Sequence, residues 1–215
     1  CIECVNVSDQ PYFKKDGPNF DNNWTYMVLM RAALSELFPD VGRILSLDND
    51  TIVNGDISAI WDTDVSDSYF AAVPETNNDR VDNNYCNFGV VLLNLAKLRS
   101  DNMTERIINA LNTEKYSYNE QDCMNHYCAG HITYLPPEYN ESIVTEHTQS
   151  PLITHYAGPY SRKIEFNHDI KKYSQLSWKD IAKMVMLHRN LIPVAVLQML
   201  GGMNSSGMRL LQLLR

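Results

Sequence analysis

The 215-residue sequence contains no glycine-rich phosphate-cradling loop, no uninterrupted apolar run long enough to span a bilayer, no repeated cysteine spacing and, over most of its length, no surplus of positive charge. Each absence removes a class of function. A phosphotransferase that cradles phosphates on glycine backbone amides needs such a loop, so that reading is discounted. A spanning helix needs about 20 consecutive apolar residues, and the apolar C-terminal stretch is broken by Pro193 and by the Gly201-Gly202 pair. Five cysteines, at positions 1, 4, 86, 123 and 128, make an odd set without a framework pattern, which points to reduced thiols in a cytosol. Cys1 and Cys4 form a lone CxxC, and Cys123, His126, Cys128 and His131 lie close in sequence. Their spacing fits no standard zinc pattern, so the helical cysteines are read as small buried hydrophobes. Residues 1–177 carry 13 Lys and Arg against 25 Asp and Glu, a balance that disfavours nucleic acid as a partner. The sequence opens without an initiating Met or a signal peptide, at Cys1 and directly into the strand-like run Ile2 to Val7. A missing N-terminal portion is the expectation, with a processed or lipid-modified Cys1 as the alternative.

What is present is a globular composition, 44% hydrophobic and 20% charged, in a length suited to one large domain or to one domain with an appendage. Its organising stretch is Ile44-Leu45-Ser46-Leu47-Asp48-Asn49-Asp50-Thr51-Ile52-Val53, an apolar run halted by two carboxylates one residue apart. If the run continues as a strand, the period of two puts Asp48 and Asp50 on one side and Asn49 on the other. Two adjacent carboxylates repel unless a cation or hydrogen-bond donors compensate, which suits a hard divalent metal. A solvated Asp-Asn-Asp turn is the competing reading.

Residues 2–7 are expected to form a buried strand. Helical spacing of Met27, Met30, Leu34, Leu37 and Phe38, with Asn22 or Asn23 as cap and Pro39 as stop, predicts a helix over 22–38. Arg31 lies within it, either snorkelling at the surface or clamping a carboxylate near the two aspartates. A short helical turn is expected at 57–61 and a buried strand at 69–73. Residues 74–85 lack periodicity and read as a mobile loop near a site. The unbroken apolar run 87–95, with an Asn at each end, predicts a central strand buried on both faces. Helical patterns follow at 103–112 and 120–130, then short strands at 132–135 and 151–159, the latter bearing His155. Strands alternating with helices argue for an α/β sheet, with ligands gathered beyond the strand ends that carry the aspartates and His155. From Trp178 the pattern becomes basic and amphipathic, five cationic residues against one acidic over 178–215. Such a tail lies on an anionic membrane surface or packs on protein.

Four motifs taken in order resemble glycosyltransferase family 8: Leu47-Asp48-Asn49-Asp50-Thr51-Ile52-Val53, Asn87-Phe88-Gly89-Val90-Val91-Leu92-Leu93-Asn94-Leu95, Glu120-Gln121-Asp122, and Ile153-Thr154-His155-Tyr156-Ala157-Gly158-Pro159. That family includes bacterial lipopolysaccharide galactosyl- and glucosyltransferases, with glycogenin a distant eukaryotic relative. The resemblance covers roughly residues 2–170 and implies a Rossmann-like nucleotide-diphospho-sugar transferase domain of the GT-A type. It implies retaining transfer of a hexose from a UDP-sugar, UDP-glucose or UDP-galactose, to a carbohydrate or glycolipid acceptor, using Mn²⁺ or else Mg²⁺. By the same resemblance Asp48, Asp50 and His155 are the metal ligands, with Asn49 beside the donor. Arg31 and Asn87 meet the donor, and Glu120 and Gln121 face the sugar and the reacting carbon. Gln121 is the candidate for stabilising an oxocarbenium-like transition state through its amide oxygen. Glu120 stands where the family usually has Asp, one methylene shorter. The family's Lys-Pro-Trp after the His motif is replaced here by Tyr160-Ser161-Arg162-Lys163, so Arg162 or Lys163 substitutes in a shifted register. The family's opening strand and helix, which hold uracil and ribose, would lie before Cys1. Residues 1–175 are thus read as the transferase domain and 176–215 as a basic helical tail, in a cytoplasmic bacterial protein peripheral to the inner face of the membrane. A non-catalytic sugar-nucleotide-binding or scaffold protein of the same fold is the alternative.

Overall fold

The structure is a computed structural model, and it describes residues 4–21, 25–76 and 84–157. Four strands form the main sheet in the order β1-β4-β3-β5: β1 (Ile44–Leu47), β4 (Cys86–Leu93), β3 (Phe70–Pro74) and β5 (Ile132–Tyr134). β4 runs antiparallel to both of its neighbours, and β3 runs parallel to β5. A second, two-stranded sheet pairs β2 (Thr51–Val53) with β6 (Ile153–His155), antiparallel, with Thr51 opposite His155.

The expected central strand is β4, buried at all eight positions. It has no solvent face because both sides of the sheet are covered. On one side Phe70, Ala72, Cys86, Phe88, Val91 and Leu93 join a core with α1 (Leu34–Leu37), α3 (Leu95–Ser100), α4 (Met103–Thr113) and α5 (Asn119–Tyr127). On the other, Ala71, Val73, Val90 and Leu92 pack with Ile153 of the small sheet and Ile60 of α2 (Ser58–Trp61). Removing a side chain as deeply enclosed as Leu92 or Ile107 costs about 2–5 kcal/mol. Along β4 the inward parity changes between Phe88 and Val90, where the register against β3 slips: Ala72 faces Val91 but Val73 faces Asn87. Such irregularities re-aim side chains, and here the extra residues are Phe88, Gly89 and Val90.

Several expectations need correction. Residues 4–7 form no strand, and 1–3 lie outside the described residues. The helix expected over 22–38 is shorter: a 3-10 turn over Leu29–Ala33 leads into α1, while Asn22 and Asn23 lie outside the described residues. Its five 3-10 residues are all buried, so tertiary packing rather than helical propensity holds them. Asp48 and Asp50 do not extend a strand; they lie in the turn that separates β1 from β2. α3 has no counterpart among the expected elements, because Asn94, read as the end of a strand, is its N-cap and accepts the Lys97 N–H at 3.0 Å. In the segment read as a mobile loop, Pro74 belongs to β3, and the buried Glu75 bridges to Thr145; residues 77–83 lie outside the described residues. So do Arg162, Lys163 and the whole basic tail. No helix among the described residues is long and apolar enough to cross a membrane.

Candidate active site

The turn at residues 48–50 is held by backbone on both flanks. The Asp48 N–H donates to the Gly89 carbonyl at 2.8 Å, and the Tyr156 N–H donates to the Asp50 carbonyl at 2.9 Å. The Thr51 hydroxyl closes the turn on the Asp48 carbonyl at 2.7 Å. β4 and Tyr156, the residue after β6, therefore each grip one end, and the two carboxylates converge through turn geometry rather than strand alternation. His155 Nε2 lies 3.7 Å from Asp48 Oδ2 and 3.4 Å from Asp50 Oδ1. One atom from each of the three side chains falls within 4.8 Å of the others, and this is where His, Cys, Asp and Glu side chains converge among the described residues. Cys123 and Cys128 are instead buried with their thiols pushed up to about 12 by desolvation, as small hydrophobes rather than ligands.

Arg31 is buried, which settles the choice between snorkelling and clamping. One guanidinium nitrogen pairs with Asp48 Oδ1. The other donates to the Phe88 carbonyl at 2.8 Å and lies 3.4 Å from Glu120 Oε1. Burial alone would lower its pKa, but the Asp48 and Glu120 carboxylates outweigh that and raise it, so the cation is fixed. For Asp50 burial acts upward, yet the hydrogen bond and charge of His155 prevail and hold the carboxyl below its ordinary value. Burial pushes Glu120 up to about 7, with Arg31 only partly opposing it. The two aspartates, Asp48 and Asp50, thus outnumber the one permanent cation beside them, Arg31, and the imbalance suits a bound divalent ion. Two carboxylates and an imidazole form a mixed oxygen and nitrogen donor set of the kind Mn²⁺ accepts.

Beside Asp48, Asp50 and His155 lies a second group of polar side chains. Gln121, on α5, accepts the Phe88 N–H through Oε1 at 2.9 Å, which leaves one lone pair of that oxygen for a ligand. Its Nε2 donates to Tyr85 Oη at 2.8 Å and to Glu75 Oε1 at 3.3 Å. Asn87 Nδ2 donates to the same Glu75 oxygen at 3.0 Å, and the Tyr85 hydroxyl donates to Asp122 Oδ1 at 2.5 Å. Arg31, Asp48, Asp50, Asn87, Glu120, Gln121 and His155 are therefore brought together, while Asn49 is exposed on the outer side of the turn. Sequence reasoning missed Glu75 and Tyr85, which sit in the segment without periodicity and carry no local signal. It also passed over Gly89. A glycine inside an apolar strand marks a close approach, and here the approach is the His155 ring: a Cβ on residue 89 would lie 2.1 Å from Nδ1 and 2.2 Å from Cε1.

The family model described as glycosyl transferase family 8 matches residues 2–161. A lipopolysaccharide 1,2-glucosyltransferase of Escherichia coli K12 is 29% identical over 143 residues, covering 54% of this chain and 42% of that protein. The chain spans roughly half the length, or less, of the curated relatives it matches. Among solved structures, a galactosyltransferase LgtC in complex with donor and acceptor sugar analogues superposes with a TM-score of 0.57 at 20% identity, covering 83% of this chain and 77% of that one. The glycosyltransferase GlyE of Streptococcus pneumoniae gives a TM-score of 0.59 at 22% identity, covering 76% and 47%. These likenesses establish the GT-A type fold.

Proposed function

The chain belongs to glycosyl transferase family 8, and from that premise we propose that it moves a hexose from a UDP-sugar to a glycan, glycolipid or lipopolysaccharide-type acceptor, with retention at the anomeric carbon and with Mn²⁺ as cofactor. The observation that carries the reading is the convergence of Asp48, Asp50 and His155 beside the buried Arg31–Glu120 pair. A divalent cation held by those three side chains supplies Lewis-acid neutralisation of a diphosphate leaving group. Arg31 fixes Asp48 in place and keeps one carboxylate oxygen occupied, so that Oδ2 is the oxygen presented towards His155.

On this reading Asn87, Glu120 and Gln121 form the sugar-facing wall. The second lone pair of Gln121 Oε1 is a neutral acceptor for positive charge developing at the anomeric carbon, and electrostatic placement of this kind contributes without a covalent step. Glu120, raised to about 7, exchanges its proton near neutrality and so presents either a donor or an acceptor to a sugar hydroxyl. Arg162 or Lys163 is assigned to the diphosphate, and the basic segment 178–215 to an anionic membrane surface facing the cytoplasm. The sequence supports both assignments.

Calorimetric titration of UDP into the protein, once with Mn²⁺ and once with EDTA, tests the proposal. Binding is expected only with Mn²⁺, and Asp50→Asn should weaken it by at least about tenfold. Equal binding in EDTA would overturn the metal assignment, and tighter Mn²⁺-dependent binding of another nucleoside diphosphate than of UDP would overturn the donor assignment.

A further inference from the structure

The hydrogen bonds around His155 determine which of its ring nitrogens carries the proton, and they do so through a residue outside the motifs. The starting point is unambiguous: the backbone N–H of Gly89 is a donor, and it meets Asn87 Oδ1 at 2.9 Å. The other end of the Asn87 amide, Nδ2, meets the Glu75 carboxyl at 3.0 Å. Two independent partners thus fix the amide orientation, with Oδ1 as acceptor. Asn140 approaches that same oxygen at 3.0 Å and must present its Nδ2. Its own Oδ1 then turns towards His155 Nδ1, 3.1 Å away. An oxygen there accepts a proton, so Nδ1 bears a hydrogen, and in the neutral imidazole Nε2 is the nitrogen whose lone pair faces the space between Asp48 and Asp50.

We propose that Asn140 is the positioning residue of the metal site: it locks His155 in the Nδ1–H tautomer and aims Nε2 at the metal. The placement is rigid at every link. Asn140 and Glu75 are buried, as are Asn87 and His155. The Asn140 backbone is pinned on both sides, its N–H donating to the Pro137 carbonyl at 3.1 Å and its carbonyl accepting the Thr145 hydroxyl at 2.7 Å. The next residue, Glu141, exchanges backbone hydrogen bonds with β6 on either side of Thr154, to the Ile153 carbonyl at 3.0 Å and from the His155 N–H at 2.8 Å. Asn140 and His155 are therefore held in mutual register by main chain, and the ring lies over Gly89, where no side chain competes for its space. A histidine ligand whose second nitrogen donates to a fixed acceptor is oriented and made more basic, and loss of that acceptor typically costs 10–100-fold in metal affinity. The relay also continues through Asn87 and Glu75 to Gln121, which ties the metal triad to the sugar-facing wall.

The consequence for metal affinity rests on the metal-site reading above, whereas the tautomer does not, so the test has two arms. In the first, Mn²⁺ is titrated into the full chain and its variants, and free Mn²⁺ is read by electron paramagnetic resonance. Asn140→Ala is expected to lower affinity by about 10–100-fold. Asn140→Asp, which keeps an acceptor for Nδ1–H, is expected to retain most of the affinity although it places a carboxylate against Asn87 Oδ1 and unfolds at a lower temperature than the parent. A residue with a merely structural role would instead lose Mn²⁺ affinity in proportion to stability. Asn140→Asp as weak as Asn140→Ala, or Asn140→Ala within twofold of the parent, would overturn the proposal. In the second arm, long-range proton–nitrogen correlation spectra of the metal-free protein, recorded about two pH units above the ordinary histidine value, identify the protonated ring nitrogen. The His155 signal is assigned by its loss in His155→Gln. Protonation at Nδ1 in the parent and its loss in Asn140→Ala supports the lock even if Mn²⁺ fails to bind, an outcome that would remove the metal reading alone. The same tautomer in both proteins would overturn the lock.

Discussion

Gly89→Ala is the smallest change that should disable the candidate site. The added methyl carbon would lie 2.1 Å from His155 Nδ1, 2.2 Å from Cε1 and 2.7 Å from Cγ, whereas ordinary van der Waals contact begins at 3.4 Å. The ring must retreat, and it has little room, because Nδ1 is tied to the buried Asn140 and the backbone of β6 is paired to β2 and to Glu141. Overpacking of this kind costs about 1–3 kcal/mol. In a chain of this size each 1 kcal/mol lowers the unfolding temperature by about 2–4 °C, so a fall of roughly 2–12 °C is expected. The second effect is functional. A metal that binds only the folded state stabilises it by about 2.7 kcal/mol when present at 100 times its dissociation constant, and a displaced Nε2 should erase most of that increment. Differential scanning fluorimetry of parent and variant, with Mn²⁺ and with EDTA, measures both quantities. A variant that unfolds within 1 °C (about the resolution of such a scan) of the parent and keeps the full Mn²⁺ shift would refute the reasoning.

Glu120→Gln should alter the pH dependence of stability. The folded-state value of about 7 exceeds the ordinary 4.5 because of burial, so the native state holds a proton that the unfolded chain has released. The stability associated with this group is complete below pH 4.5 and is lost as pH rises through about 7, a change on the order of 3 kcal/mol. The variant should show a flatter profile across that window in denaturant titrations, and an unchanged slope would contradict the assignment. Cys86, Cys123 and Cys128 are buried and Cys4 is exposed, with desolvation pushing Cys123 and Cys128 up to about 12. Alkylation of the native protein at pH 8, mapped by peptide mass spectrometry, should therefore modify Cys4 and spare those three; equal labelling of Cys123 would sink the burial argument. Deleting residues 178–215 should release the protein from anionic vesicles in a flotation assay, and undiminished flotation would assign the tail to packing.

The sequence by itself determined the features that depend on local chemistry. The unbroken apolar run of β4 could only be a strand covered on both faces, and it is buried throughout. The periodic segments that became α4 and α5 were legible because one face of each must meet a core. The order of four motifs identified the family, since each preserves short-range spacing that chemistry requires. Where the sequence reading failed, distant partners decided the outcome. Leu29–Ala33 reads as ordinary α-helix, yet packing and the Arg31 bonds to Phe88 and Asp48 hold it as a 3-10 turn. Asp48 and Asp50 meet His155 through a turn gripped by β4 and Tyr156, not through alternation along a strand. Glu75 and Asn140 carry no local signal of function, and Gly89 signals a close approach without naming the partner. What they do exists only once β4, β6 and the Pro137–Asn140 turn are brought side by side, because a hydrogen bond or a steric clearance belongs to a pair of residues and not to either one alone.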